Sequence, residues 1–287
     1  MKESRVKILR LTAWLVASAM FVSLSSEAVV RAAQRRNRIA KVQPKTAVTE
    51  TEQKAKTTKA SEEYKAFWFS FYDYDEYRDT YKKNNASNFK KYFTKVVNKG
   101  KSLGMNRVIV QVRPFGDAIY KSKYFPWSKY ISGKQGRSPG YDPLKIMVSV
   151  AHSKGMAIEA WVNPYRVTKG STSYKKLSKN NPARKWNAKK STRRNVLSYG
   201  GSLYYNPSKK GVQNLIVNGA KEIVQKYDVD GIHMDDYFYP SFTKKNVKKA
   251  FDAKEYNKSS YKKKKKSIYT YRRAQVNNLV KRMKKTI

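Results

Sequence analysis

The 287-residue sequence contains no cysteine, two histidines and only 20 acidic residues. The absence of cysteine excludes a disulfide framework and thiolate metal sites. Neither histidine has the spacing of a metal-binding motif, and we expect no metal and no cofactor. The sequence also has no Gly-rich phosphate-binding motif, zinc finger or helix-turn-helix pattern, which argues against nucleotide-dependent enzymes and specific nucleic-acid binding.

Positive charge dominates what is present. The 63 lysines and arginines give a formal net charge of +43. Such a charge attracts polyanions such as nucleic acid, anionic lipid or anionic cell-wall polymers. Because no nucleic-acid motif accompanies the lysines, we expect the partners to be anionic wall polymers or a membrane surface, and no specific nucleic acid. Hydrophobic residues make up 40% of the chain, enough for a sizeable core.

Residues 1–28 have the pattern of a signal peptide. A basic start is followed by an apolar run over residues 11–24, shorter than the ~20 residues of a membrane span. Ser26 and Ala28 occupy small-residue positions that predict cleavage after Ala28. The alternative is an uncleaved N-terminal anchor. Residues 29–62 are polar and predict a flexible linker, so a secreted or cell-surface protein is expected.

The rest of the chain, residues 63–287, alternates between strand-like and helix-like segments. Apolar runs predict strands at 66–71, 107–112, 156–162 and 231–234. Apolar spacing and capping residues predict helices at about 89–103, 142–155, 206–224 and 268–286. The segments 72–83, 113–141 and 167–205 are predicted as loops, and 241–267 as a Lys-rich insertion. This alternation indicates an α/β fold with a parallel sheet or a (β/α) barrel.

Six ordered motifs span about residues 64–287. They are Val110–Tyr120, Tyr124–Ser128, Gly140–Leu144, Ala160–Arg166, Asp230–Pro240 and Tyr271–Asn277. Together they resemble the glycosyl hydrolase-like 10 family of bacterial exported proteins. The resemblance implies a (β/α)8 TIM barrel and a hydrolase of peptidoglycan glycan strands. Because a TIM barrel has eight strands, we expect only about the first four β/α units here, in a truncated and inactive chain.

The fourth predicted strand ends in two carboxylates, Asp235 and Asp236, and these are the catalytic candidates. In parallel α/β sheets and barrels, chemistry is done at the carboxyl ends of strands. Glycosidases use two carboxylates that flank the scissile bond. Adjacent residues on a strand point to opposite sides, so these two do not form that pair. We favour Asp235, which is two positions after His233 and therefore points to the same side of the strand. An ion-pair role for Asp235 is the alternative.

The pattern from Asp230 to Asp235 also resembles the fourth strand of α-amylase-type barrels, whose last aspartate is the nucleophile. That resemblance favours Asp235 at the level of fold analogy. Asp236 is instead expected to cap the following loop or to bond Arg166. Glu159 shares the parity of Trp161 and is the candidate for a second carboxylate.

Candidate substrate-binding residues surround this strand end. Polar ones suit sugar hydroxyl and carboxylate groups, and aromatic ones can stack on sugar rings. They are Arg113, Asp117, Trp127, Trp161, Asn163, Tyr165, Arg166, His233 and Tyr237. Loop anchoring or core packing is the alternative for each residue alone.

The expected function is therefore an exported glycoside hydrolase that acts on cell-wall glycan by carboxylate acid/base chemistry. Two alternatives remain open: a non-catalytic carbohydrate- or cell-wall-binding relative, and a basic nucleic-acid-binding protein. A pair of facing carboxylates favours the enzyme, whereas a contiguous basic face without a cleft favours nucleic-acid binding.

Overall fold

A parallel sheet organises the fold. The computed structural model describes residues 63–235 and 238–287, so the predicted signal peptide and linker lie outside the described residues. The described strands are β1 (Ala66–Phe69), β2 (Arg107–Arg113), β3 (Ala157–Val162), β4 (Val196–Tyr199), β5 (Ser202–Tyr205) and β6 (Gly231–His233). Four of them form one sheet in the order β1-β2-β3-β6, and every pairing in it is parallel.

Helices connect these strands. They are α1 (Phe71–Thr80), α2 (Ala86–Ser102), α3 (Lys129–Ser132), α4 (Pro143–Ser153), α5 (Pro182–Ala188), α6 (Lys210–Lys226), α7 (Ala253–Asn257), α8 (Ser260–Lys263) and α9 (Ile268–Thr286). Within the described ranges, no helix has the length and apolar character needed to cross a membrane.

The strand order defines the fold class. Each strand of the parallel sheet pairs with the next parallel strand along the chain. A doubly wound sheet would reverse its order at a switch point, whereas a (β/α) barrel adds strands in sequence order. The fold is therefore α/β of the TIM-barrel type, as predicted, and the described residues form four consecutive β/α units of it.

One face of the sheet packs against helices and forms the core. Its buried residues alternate along the strands: Phe69, Val108, Val110, Val112, Ile158, Ala160 and Val162. Large side chains from α2, α4 and α6 pack against them, including Phe93, Leu144 and Ile216. Helix α2 lies so close that a Cβ atom added at Gly100 would overlap the Phe67 ring. Each fully buried Val, Leu, Ile or Phe side chain of this core stabilises the fold by about 1.5–3 kcal/mol.

The opposite face, which is the barrel-interior side, is mostly polar and aromatic, with Ile109 as its aliphatic member. The strand register aligns Gln111 with Trp161 and Trp161 with His233. Because side chains alternate along a strand, Trp68 of β1 and Glu159 of β3 share this face. The two faces of one sheet therefore separate the stabilising core from the residues that carry charge.

The prediction of a loop at residues 72–83 was wrong, because most of this segment belongs to helix α1. Ser70 accepts a hydrogen bond from the backbone of Tyr72, and Asp73 bonds back to the Ser70 backbone at 2.6 Å, which completes a capping box. Strand β1 ends at Phe69 for this reason. Phe71, Tyr74 and Tyr77 are buried at helical spacing.

The predicted basic loop 167–205 also contains regular structure. It holds α5 and the antiparallel hairpin of β4 and β5. Gly200 and Gly201 form the turn with φ of 52° and 70°, the positive values that a two-residue type I′ hairpin turn needs. The predicted helix start at residue 206 was wrong, because α6 begins at Lys210.

Other sequence predictions agree with the structure. Helix α4 begins at Pro143 with Asp142 as its side-chain cap, and α9 spans the predicted residues. Three apolar residues within the predicted helix ranges are exposed, namely Leu103, Val224 and Val280. The loop 113–141 includes the short helix α3, and the Lys-rich segment 241–267 contains α7 and α8.

Candidate active site

Asp235 lies at the carboxyl edge of the parallel sheet, two residues after β6, and is exposed. Its Oδ1 atom accepts hydrogen bonds from Trp161 Nε1 at 2.8 Å and from Asn163 Nδ2 at 3.1 Å. Among residues 63–235 and 238–287, no side chain or backbone group donates a hydrogen bond to its Oδ2 atom. The neighbouring candidates Asp236 and Tyr237 lie outside the described residues.

Two buried side-chain amides, Gln111 and Asn163, hold the NH2 group that donates to Asp235. The backbone N–H of Phe71 donates to Gln111 Oε1 at 3.0 Å, and Gln111 Nε2 donates to Asn163 Oδ1 at 2.5 Å. An amide has a carbonyl end that accepts and an NH2 end that donates. The backbone at the start of α1 therefore sets the orientation of both amides and turns the Asn163 NH2 group toward Asp235. Gln111 and Asn163 are both buried.

Aromatic rings line the sheet beside Asp235. Trp68 meets Trp161 edge to face, with ring centroids 4.6 Å apart, and meets His233 at 4.8 Å. Trp68 is 47% exposed, so it offers a flat apolar surface of the kind that stacks on a sugar ring. In the sequence, Trp68 belongs to the apolar run of the predicted strand 66–71. The sequence did hold a signal for its exposure. Trp68 alternates with Ala66 and Ser70, so these three residues share one face of the strand, and the apolar residues occupy the other face.

Glu159 occupies the same face nearer the amino end of the strands. Its carboxylate accepts hydrogen bonds from Tyr64 Oη at 3.0 Å and Arg107 Nη1 at 3.2 Å. The Nδ1 atom of His233 lies 3.3 Å from its other oxygen. Glu159 therefore belongs to an ion-pair cluster below the strand ends, and its link to the Asp235 side of the face runs through His233.

Arg113 and Asp117 are both buried, with 2% of each residue exposed. The Arg113 guanidinium lies 3.4 Å from the Pro164 carbonyl oxygen and 4.7 Å from the centroid of the Phe125 ring. Burial lowers the pKa of Arg113. Asp117 Oδ2 accepts a hydrogen bond from Gln135 Nε2 at 2.7 Å, and burial raises the pKa of Asp117 to about 6 against the effect of that bond.

The other predicted binding residues anchor loops. The Tyr165 carbonyl accepts the Tyr205 N–H at 2.7 Å, and burial raises the pKa of the Tyr165 phenol. Arg166 stacks on Phe115 with its guanidinium carbon 5.0 Å from the ring centroid. Trp127 is half-buried and pairs with Ala118 through a bridge. The structure thus brings Trp161, Asn163, His233 and Asp235 together, whereas Trp127, Tyr165 and Arg166 make their contacts with other segments.

The residues suited to metal binding do not cluster in the described ranges. Among residues 63–235 and 238–287, no group of three or more histidines and carboxylates has the arrangement of a metal site.

Known proteins resemble this chain across the same region. The glycosyl hydrolase YngK of Bacillus subtilis (strain 168) is 40% identical over 202 residues, which cover 69% of this chain and 37% of that protein. The glycosyl hydrolase DigH of Escherichia coli (strain K12) is 40% identical over 140 residues, covering 48% of this chain and 32% of DigH. The matched regions therefore amount to about a third of the length of these curated relatives.

Among solved structures, the α-L-fucosidase isoenzyme 2 from Paenibacillus thiaminolyticus is similar with a TM-score of 0.47 and 13% identity. That similarity covers 78% of this chain and 30% of the fucosidase. The model of the family described as Glycosyl hydrolase-like 10 matches residues 63–287. The match covers the whole of the sheet and its helices, and the chain belongs to the glycosyl hydrolase-like 10 family.

Proposed function

We propose that Asp235 is a reacting carboxylate of a glycoside hydrolase that acts on cell-wall glycan. One observation carries the proposal. Asp235 is exposed at the carboxyl edge of a barrel-type sheet, and a fixed hydrogen-bond network holds one of its oxygens. Gln111 and Asn163 are buried, and a buried amide without hydrogen-bond partners would destabilise the fold. We take the role of this buried polar network to be the positioning of Asp235, the exposed carboxylate at its end.

The chemistry follows from how Asp235 is held. Both donors to Oδ1, an indole and an amide, are neutral, and no described basic side chain forms an ion pair with this carboxylate. Its negative charge is thus available to a substrate. Glycoside hydrolysis passes through an oxocarbenium-like transition state, which a fixed carboxylate stabilises as nucleophile or assists as acid or base. The second carboxylate of such a mechanism is not among the described side chains that contact Asp235.

The substrate class is supported by the surface around the carboxylate. Trp68 is exposed and Trp161 half-buried next to Asp235, as stacking on sugar rings requires. The curated relatives are named glycosyl hydrolases. We assign the glycan to the cell wall because the +43 charge favours an environment of anionic polymers.

Export belongs to the same proposal. The basic start, apolar run and small residues before Val29 support cleavage after Ala28. Sequencing the N-terminus of the protein recovered outside the cytoplasm tests this, and the expected first residue is Val29. Full-length protein confined to the cytosol would contradict export without affecting the chemistry.

The catalytic assignment is tested by Asp235→Asn in the protein expressed from its complete gene. The amide keeps the size of the carboxylate and removes its charge. Release of soluble fragments from peptide-free peptidoglycan strands should fall at least ~100-fold, the lower range for loss of an acid–base group.

The matched control is Asp228→Asn, whose carboxylate precedes the same strand and is 95% exposed. It should leave turnover unchanged, and thermal melting should show both variants folded. Wild-type turnover by a folded Asp235→Asn protein would remove Asp235 from the mechanism and leave carbohydrate binding as the function of this surface.

A further inference from the structure

A cavity of about 230 Å³ lies beside the candidate active site. Its walls come from the segment that follows β2 and the segment that follows β3, so it opens at the same carboxyl edge of the sheet as Asp235. Lys169 joins the two places. The residue lines the cavity, and its Nζ atom lies 5.4 Å from the centroid of the Phe71 ring. The Phe71 N–H begins the amide chain that ends at Asp235.

The cavity combines cations with an apolar wall. Lys129, Lys169 and Lys176 line it, and all three are exposed at its rim. Phe115 and Tyr130 form one wall, with stacked rings whose centroids are 5.6 Å apart. Such a lining suits an anionic group attached to a small apolar unit, since lysine attracts the charge and the rings contact the carbon atoms.

Asp117 lies in the floor of the cavity. Gln135 holds its Oδ2 atom. The Ser128 hydroxyl lies close enough to lower the pKa of Asp117 but forms no hydrogen bond of normal geometry with it, and Oδ1 is buried with no such partner among the described residues. Gln135 is itself fixed, because its Oε1 atom accepts from the Ser178 N–H at 2.9 Å. An unpartnered acceptor in the floor favours a ligand that also donates a hydrogen bond, and its charge disfavours a dianion such as a phosphate monoester.

We infer that this cavity binds a carboxylate-bearing sugar residue of the glycan. The lysines hold the carboxylate, the rings of Phe115 and Tyr130 contact its carbon substituent, and a hydroxyl or amide N–H of the sugar donates to Asp117 Oδ1. The inference rests on the proposed function, and it specifies which sugars the site selects. The volume is below the ~300–1,000 Å³ of typical ligand pockets, which fits one such group rather than a longer chain.

Binding to two matched oligosaccharides tests this selection. The first is a peptide-free tetrasaccharide of alternating N-acetylglucosamine and N-acetylmuramic acid, and the second is the same tetrasaccharide with its carboxylates converted to amides. Calorimetry uses the Asp235→Asn protein so that no hydrolysis occurs. The carboxylate form should bind at least ~10-fold more tightly, about 1.4 kcal/mol.

The variant Lys176→Met, made in the Asp235→Asn protein, should remove most of that preference. Its matched control is Lys175→Met in the same background. Lys175 is also exposed on the same turn but does not line the cavity, so this control changes net charge identically and should keep the preference. Circular dichroism should show both variants folded.

Two results would overturn the inference. If the carboxylate and amide forms bind equally, or if Lys175→Met removes the preference as fully as Lys176→Met does, the cavity does not read the carboxylate, and the proposed glycosidase function stands. If neither tetrasaccharide binds, both the inference and the cell-wall substrate fail together.

Discussion

The buried carboxyl of Asp117 should make the protein less stable at neutral pH than at acidic pH. Burial raises the pKa of Asp117 from an ordinary value of 3.8 to about 6 in the folded state. The unfolded chain therefore releases this proton at lower pH than the folded protein does. The contribution of Asp117 to stability is fully present below about pH 4 and is lost as pH rises through about 6.

The magnitude follows from the two pKa values. Each pKa unit corresponds to 1.36 kcal/mol, so the whole loss is roughly 3 kcal/mol for a carboxyl that is only 2% exposed, and most of it falls between pH 4 and pH 8. Asp117→Asn stays neutral at every pH, and its side-chain oxygen can still accept from Gln135. The variant should therefore be more stable than wild type at pH 8 by up to roughly 3 kcal/mol, and this advantage should disappear near pH 4.

Urea unfolding of both proteins at pH 4 and pH 8 measures the effect. Subtracting the free energy of unfolding of one protein from that of the other at each pH removes the contribution of every titrating group that the substitution does not affect. Asp228→Asn, at an exposed carboxylate, serves as the control and should follow wild type at both pH values. Parallel loss of stability by wild type and Asp117→Asn between the two pH values would refute the assignment of a raised pKa to Asp117.

Three further outcomes are expected. Asp252→Ala should lower the free energy of unfolding, measured by urea titration, by about 3–5 kcal/mol. The substitution leaves the buried Arg272 guanidinium, which lies 2.7 Å from the Asp252 carboxylate, without that ion-pair partner. A loss below about 1 kcal/mol would show that the pair contributes little. Trp68→Ala should weaken glycan binding roughly tenfold by calorimetry through lost ring stacking, whereas Tyr269→Ala, at a half-exposed aromatic on α9, should not; equal effects would contradict a stacking role. Sedimentation with cell walls should fall steeply between 0.1 and 1 M salt, as the Debye length shrinks from ~10 to ~3 Å, and salt-independent binding would contradict attraction by net charge.

Much of the fold is predictable from the sequence because strong local signals coincide with the tertiary structure. Asp142 followed by Pro143 is a cap and a first-turn proline, and the structure uses both. Helix α1 escaped prediction because its Tyr- and Asp-rich composition resembles a loop, while the signal that decides it is the capping box between Ser70 and Asp73. The β4–β5 hairpin was hidden by its basic surroundings, although the Gly200–Gly201 pair marks its turn.

The candidate site was predictable only in part, for a similar reason. Strand parity links His233 and Asp235 to Trp161 on β3, and the observed hydrogen bond to Asp235 follows from it. Gln111 was visible as the one polar residue within Val108–Val112, but its partner depends on where α1 begins. The burial of Arg113 depends on how distant loop segments fold back over it, and no local pattern encodes that.

The most direct test of the role of Asp235 is azide rescue of Asp235→Ala. In the protein expressed from its complete gene, the substitution removes the carboxylate and leaves space for a small anion beside Trp161 and Asn163. We predict that this variant is nearly inactive on peptide-free peptidoglycan strands, and that added azide restores turnover with a glycosyl azide as product, identified by mass spectrometry. Asp228→Ala should work normally and form no azide product. A folded Asp235→Ala protein that cleaves the glycan at the wild-type rate without azide would contradict the assignment of Asp235 as the reacting carboxylate.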